Sequence, residues 1–310
     1  GLGLATYIES ILGDPDETAR LVLDDDGGAT LYVGTQSNGQ GHETVYARMV
    51  AGMTGIDAGR IRVVQGDSDL IAKGGGTGGS RSVTVQGTAL RATVGQMVAA
   101  LSGFLEAELA LEGVTFSNHV FGAPGSNLRL TLAEAADLAR QKGRTELCDR
   151  SATITLDGRS FPNGAHVAEV EIDPETGALR LDRYAVVDDF GTLIAPELAI
   201  GQVHGGIAQG FGQAVMEDAV HDGNGQLLAA SFMDYAMPRA SDLPFYSFTS
   251  EPVPSVLNPF GMKGCGEAGT VGALGAISNA VRDALAGRGV ARVDMPFTPQ
   301  RVWGWLQAAG

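Results

Sequence analysis

With 310 residues, 44% of them hydrophobic and 18% charged, the chain can bury a sizeable core as one large or two ordinary domains. Its 36 acidic against 21 basic residues give a formal charge of -15 with no Lys/Arg cluster, which argues against a nucleic-acid or anionic-membrane surface and leaves small molecules and protein partners. The 45 glycines keep no short period and form no low-complexity block, so they mark tight turns and close backbone approaches rather than a collagen-like rod or a linker.

Cys148 and Cys265 cannot build a disulfide framework, and no CxxC or HxxxH spacing offers a metal nest, so any metal is expected to arrive inside a cofactor. No basic-then-apolar leader and no apolar run of about 18 residues is found, so membrane insertion is not expected and the cytoplasm is the default location.

In chain order, Gly1 to Ser10 opens on alternating apolar residues with no preceding turn, as if continued from a longer polypeptide. Leu21–Leu23 and Ala29–Val33, joined by the Asp24–Gly28 cluster, predict a β-hairpin. Val45, Met49 and Met53 predict a helix over 43–55, and Ile61–Val64 a short strand. Leu90, Val94, Met97, Leu101, Leu105 and Leu109 predict a long buried helix from about Gln86 to Leu111. Residues 112–130 carry little pattern, and the best candidate boundary lies there.

Thr131-Leu132-Ala133-Glu134 has capping-box spacing, with Gly143 ending a short helix. Strands are predicted at 152–156, 167–172 and 179–187, the last two joined by a Pro/Gly turn at 173–177. From Pro196 to Val220, Val203, Ile207, Phe211 and Val215 fall on one helical face among four glycines, so this helix must bring its backbone close to a neighbour. Helices over 272–286 and 298–306 complete the pattern. The fold class expected is α+β, with mixed sheets and packed helices in two α/β portions near 1–120 and 121–310.

Four polar-glycine segments could carry chemistry: Gly34 to His42, Gly74 to Ser82, Gln209 to Gln213, and Lys263 to Gly269. Glycine turns offer backbone N–H groups to anions, and Gln can meet both donor and acceptor edges of a heterocycle, so together they suit a large polar cofactor. Taken singly, each reads better as an ordinary turn, and only their joint occurrence favours the cofactor reading. Neither the P-loop pattern nor a strand-GxGxxG-helix unit is present.

Glu267 sits between glycines outside any exposed-helix pattern, where partial desolvation would help it hold a proton as a general base must. The competing role is a carboxylate capping the following helix. His42 and His204 fit hydrogen-bonded structural roles better than catalytic ones, and redox or metal roles for the two cysteines are not expected.

The ordered series of the GQG loop, GTGGSRS, VVDDFG, GQVHGGIAQGFGQA and KGCGEAGT resembles the C-terminal half of the large subunit of the xanthine dehydrogenase/aldehyde oxidase/CO dehydrogenase family of molybdenum hydroxylases. The likeness runs from GLGLATYIES to MPFTPQRVWGWL and implies the fold of that family's second molybdopterin-binding domain. It implies that Gly39, Gln40, Gly41, Gly78, Gly79, Ser80, Arg81, Ser82 and Gln209 contact molybdopterin or its cytosine dinucleotide extension. Lys263, Gly266 and Glu267 match the active-site loop, with Glu267 as catalytic base.

The metal would be held by the pterin dithiolene rather than by protein ligands, leaving positioning and electrostatics to the chain. The implied reaction is hydroxylation of an aldehyde, N-heterocycle or CO carbon with water as oxygen source, two electrons leaving for Fe-S and FAD partners. The family's GGxFG-type loop, the Fe-S cysteine pattern and a flavin domain are missing from this sequence. The other half of the pocket is therefore expected from an N-terminal half, without which the chain would be inactive and form homo-oligomers. A non-catalytic assembly module is the alternative.

Overall fold

The computed structural model describes residues 1–11 and 13–310. In chain order it contains β1 (Leu2–Ile8), β2 (Asp16–Leu23), β3 (Ala29–Val33), α1 (His42–Thr54), β4 (Ile61–Val64) and α2 (Ser82–Leu109). Next come β5 (Thr115–Ser117), β6 (Val120–Gly122), β7 (Leu130–Thr131), α3 (Leu132–Gln141), β8 (Asp149–Thr155), β9 (Asn163–Ile172) and β10 (Leu179–Asp189). The chain closes with α4 (Pro196–Phe211), β11 (Ser247–Ser250), α5 (Ala268–Ala286) and α6 (Pro299–Ala309). The architecture is the expected α+β mixture of sheets and packed helices.

The predicted hairpin forms as β2 and β3, antiparallel with Leu21 opposite Leu31. Its turn closes because the Asp24 N–H donates to the Gly28 carbonyl at 3.0 Å and the Gly28 N–H donates to the Asp26 carboxylate at 2.8 Å. The Thr131/Glu134 capping box is present in full at the start of α3.

Two four-stranded sheets carry the molecule, one in the order β4-β3-β2-β8 and the other β1-β9-β10-β11. The first lies under α1, α2 and α3, around Leu31, Tyr46, Leu90, Met97 and Leu132. The second lies under α4 and α5, around Val186, Val203, Ile207, Ile277 and Val281. Neither sheet follows a cut near residue 120: β8 returns to pair with β2, while β1 leaves the first body and pairs with β9. Hydrophobic periodicity identifies faces, and long-range strand exchange of this kind leaves no mark in it.

Three helix boundaries differ from expectation by four residues or more. Helix α2 begins at Ser82 rather than Gln86, and α5 begins at Ala268 rather than Gly272. Glycines and hydroxyls that read locally as loop are held helical by packing. Helix α4 stops at Phe211, and Gly212–Met216 continues as a wider π turn closed by the Glu217 N–H on the Gly212 carbonyl at 2.8 Å. Two glycines of α4, Gly206 and Gly210, face α5: a Cβ on Gly206 would lie 2.9 Å from the Cα of Gly269. The two backbones thus touch, which sets the first turn of α5 against the middle of α4.

Candidate functional site

The two bodies enclose a cleft of about 300 Å³ lined by the loops before α1 and α2, the start of α4 and the loop before α5. Gln40, Gly78, Gly79, Ser80, Ser82, Lys263, Gly266 and Glu267 all line it, brought together from three distant segments.

Ser80 and Glu267 form the tightest link between those segments. The Ser80 hydroxyl donates to Glu267 Oε2 at 3.2 Å, and the Glu267 N–H donates back to Ser80 Oγ at 3.1 Å. Ser80 adopts a left-handed backbone with φ of 57°, next to Gly79 at 64°. That conformation is costly for a residue with a Cβ and turns the hydroxyl toward the α5 loop. Gly264 and Gly266 let this loop press on Ser80: a Cβ on Gly264 would collide with the Ser80 carbonyl oxygen.

Glu267 occupies the N-cap position of α5, yet its side chain makes no capping hydrogen bond. The carboxylate is committed to Ser80 at the cleft rim, not to the helix. Glu267 is exposed, so the partial desolvation expected for it is absent within this chain.

The loop carrying Glu267 is pinned at two further points. Gln202 Nε2 donates to the Gly266 carbonyl at 2.7 Å, and the Lys263 N–H donates to the Phe190 carbonyl at 2.8 Å. The Lys263 ammonium pairs with Asp189, which also accepts the N–H groups of Gly191 and Val253, both at 2.9 Å. Burial disfavours the Asp189 carboxylate, but the Lys263 and backbone hydrogen bonds outweigh it and hold this group below the usual aspartate range. Lys263 therefore lines the cleft with its ammonium already engaged.

Arg81 is placed differently from its neighbours. Its guanidinium is 1% exposed, pairs with Glu17 at 3.1 Å and donates to the carbonyls of Asp14, Asp16 and Gly76. It braces the Gly74–Ser80 loop on β2 and does not line the cleft. Gln209 also lies outside the lining, where its side-chain oxygen accepts from the Thr270 hydroxyl at 3.1 Å. The Gln40 side chain folds back to accept the Asn38 N–H, with Gly39 and Gly41 at φ of 111° and 78° shaping that loop.

Among the lining residues, Gln202 was not singled out from the sequence, and His42 was given a structural role. Gln202 lies two turns before Gln209 on α4, a spacing that could have marked it. His42, read as structural, is 2% exposed at the start of α1, lines the cleft, and has a buried Nδ1 without a hydrogen-bond partner. Burial lowers its pKa and so favours neutral imidazole, which can donate or accept. His204 stands outside the lining, edge-on to Tyr246. Desolvation pushes the Cys265 thiol up to about 12, leaving it neutral.

The polar side of the lining can meet an anionic group. A Cβ on Gly78 would meet nothing within 4 Å, the buried His42 nitrogen is unsatisfied, and Ser80, Ser82 and Gln202 supply hydroxyl and amide donors beside an apolar wall that includes Leu193, Leu198 and Met262. Among the described residues, no cluster of three or more His, Cys, Asp or Glu could hold a metal ion directly, and no helix is long and apolar enough to cross a membrane.

A family model described as a molybdopterin cofactor-binding domain matches residues 1–244. The nicotine 6-hydroxylase large subunit of Paenarthrobacter nicotinovorans is 33% identical over 97% of this chain and 40% of its own length. The carbon monoxide dehydrogenase large chain of Hydrogenophaga pseudoflava is 32% identical over 98% of this chain and 40% of its own. The structure of the reconstituted CO dehydrogenase from Oligotropha carboxidovorans superposes with a TM-score of 0.91 at 29% identity, covering 100% of this chain and 41% of that one. The chain thus spans about two fifths of the length of these relatives.

Proposed function

The chain belongs to the molybdopterin-binding xanthine dehydrogenase/aldehyde oxidase/CO dehydrogenase family of molybdenum hydroxylases, and we propose that within a complete large subunit it forms one wall of the active site and presents Glu267 as general base. The observation that carries this reading is the Ser80–Glu267 pair, in which a carboxylate placed to cap α5 is instead held at the rim of the cleft.

In this reading Gln40, the backbone of Gly39, Gly41, Gly78 and Gly79, and the Ser82 hydroxyl hold molybdopterin in its cytosine dinucleotide form. Lys263 and Gly266 shape the loop at the reacting end, and Gln209 extends the polar row along α4. Arg81 acts through the loop it braces. When bound, the cofactor supplies the molybdenum and takes up two electrons, which pass to Fe-S and FAD partners.

Glu267 accepts a proton during hydroxylation of an aldehyde, N-heterocycle or CO carbon, with water as the oxygen source. The second wall comes from the remaining part of the subunit, and the chain alone has no turnover.

The test is Glu267→Gln in the complete assembly. Turnover should fall by about 10²–10⁴-fold while molybdenum and pterin content stay unchanged. Unchanged turnover would remove the base assignment. Molybdenum and pterin that appear only when the chain is co-expressed with the rest of its subunit would support the two-walled site. Absence of both in either preparation would count against it.

A further inference from the structure

The two acidic residues that end β10 are both buried, and they act in different places. Asp189 pairs with Lys263, at the start of the loop that carries Glu267. Asp188 stands opposite Gly164 of β9, and a Cβ on Gly164 would collide with its carboxylate. Tyr7 of β1 is the other neighbour of Gly164, and its hydroxyl reaches across the glycine to donate to Asp188 Oδ1 at 2.8 Å. Burial, and after it the Asp188 carboxylate, push the Tyr7 phenol well above its usual range, so it remains a donor.

His166 lies two residues along β9 from Gly164, on the same face of the strand. Its ring is 0% exposed, with Nδ1 2.7 Å from the Tyr184 hydroxyl and Nε2 3.6 Å from Asp188 Oδ1. The rings of Tyr7 and Tyr184 meet it edge-on, their centroids 5.5 and 5.7 Å away. The imidazole is therefore hydrogen-bonded at one nitrogen, turned to a carboxylate at the other, and enclosed on two sides.

Helix α5 rests on this ring. A Cβ on Gly272 would collide with Cδ2, Cγ and Nε2 of His166, so the helix backbone lies directly on the imidazole. Within the first two turns of α5, Gly269 touches α4 and Gly272 touches β9. The first contact sets the helix sideways and the second sets its height above the sheet. The stretch from Lys263 to Gly272 is held at both ends, and Glu267 with its two Ser80 hydrogen bonds lies between them.

We propose that His166, oriented by Tyr184 and Asp188, is a positioning residue for Glu267: its ring is the support that fixes the height of α5 and so places the Glu267 carboxylate at the cleft. The proposal rests on Glu267 being the base. It gives both acidic residues of the VVDDFG segment a part in holding one loop, Asp189 directly and Asp188 through His166.

The experiment compares His166→Ala, Gly272→Ala and the double variant in the complete hydroxylase. Hydrogen-exchange mass spectrometry reads the seating of residues 263–275, and turnover is followed with carbon monoxide, benzaldehyde and nicotine as probe substrates. Each single change should speed exchange in 263–275 by about tenfold and lower kcat by about tenfold, with KM and molybdenum content held within about twofold. A misplaced base slows the chemical step without loosening substrate or cofactor. Because the two changes act on one contact, the double variant should be no slower than Gly272→Ala, whereas independent effects would multiply to about a hundredfold.

Unaltered exchange in 263–275 in both single variants, or losses in kcat that multiply in the double variant, would overturn the proposal. Tyr184→Phe removes the hydroxyl at Nδ1 without adding bulk and serves if Gly272→Ala does not assemble: exchange in 263–275 should rise about threefold or more, and an unaltered rate would refute the support. If Glu267→Gln keeps full turnover, the base assignment falls, and the exchange rates still decide whether His166 seats the loop. If Glu267→Gln is inactive while the His166 and Gly272 variants exchange and turn over normally, His166 alone is refuted.

Discussion

The guanidinium of Arg81 and the carboxylate of Glu17 meet at 3.1 Å with side chains 1% and 0% exposed, so the loop that carries Ser80 is tied to β2 by an ion pair that solvent does not reach. The Glu17 carboxylate also accepts the Gly75 N–H at 3.1 Å, and Arg81 satisfies three carbonyls from two segments. Removing one member leaves an uncompensated buried charge, which costs about 3–5 kcal/mol. Arg81→Met should lower unfolding stability in chemical denaturation by that amount and reduce cofactor content in the assembled enzyme. A loss below about 1 kcal/mol would show that the brace is not needed.

The approach of α4 to α5 yields a second expectation. A Cβ on Gly269 would collide with the Val203 carbonyl oxygen and lie 2.8 Å from the Ile207 nitrogen, both backbone atoms that cannot rotate away. Gly269→Ala should therefore separate the helices and displace Glu267 two residues earlier, at a cost of about 1–3 kcal/mol. Gly201→Ala, with open space around it, serves as the control and should be neutral or slightly stabilising. The check is thermal unfolding of both variants alongside turnover of the assembled enzyme.

Asp189 and Lys263 predict an acid-side loss of stability. Asp189 ionises more readily folded than unfolded, because Lys263 and two backbone N–H groups outweigh its burial. As pH falls below the ordinary aspartate value of ~3.9, the unfolded chain takes up a proton that the folded chain still refuses. Stability is full above that value and is lost as pH drops through the lower folded one. Lys263→Met should flatten this part of the stability curve measured by denaturation between pH 2 and pH 6. An unchanged slope would refute the assignment.

Local elements were legible wherever a period or a cap reports on its own neighbourhood. The hairpin at Asp24–Gly28, the Thr131–Glu134 box and the face of α2 all satisfy their hydrogen bonds and burial within a few residues. The small sheet β5-β6-β7 was not legible, because its strands of three residues or fewer are too short to show alternation. Strand β11 was missed for another reason: it pairs in parallel with β10 across a distant stretch of chain.

The site shows the same division. The motif loops announced themselves by composition, and most of the residues singled out in them line the cleft. What composition could not separate was a side chain in the cleft from one that braces it: Arg81 and Ser82 are adjacent in sequence, yet the first is spent on Glu17 and the second lines the cleft.

The last expectation concerns the surface. Between α4 and α5 the chain exposes Phe232 at 84%, Met233 at 96%, Phe245 at 103% and Val256 at 95%. Single exposed apolar residues are ordinary, but several large ones along one irregular stretch mark a surface that a partner covers. The relatives that the chain matches are about two and a half times its length, and on the function proposed above the expected cover is the remainder of the subunit. The chain by itself should self-associate in a concentration-dependent way by light scattering, and the double substitution Phe232→Ser and Phe245→Ser should weaken this without lowering unfolding stability, since neither ring is packed in either core. Co-expression with the remainder of the subunit should abolish it. A monodisperse monomer of the unsubstituted chain at high concentration would show that this stretch needs no cover.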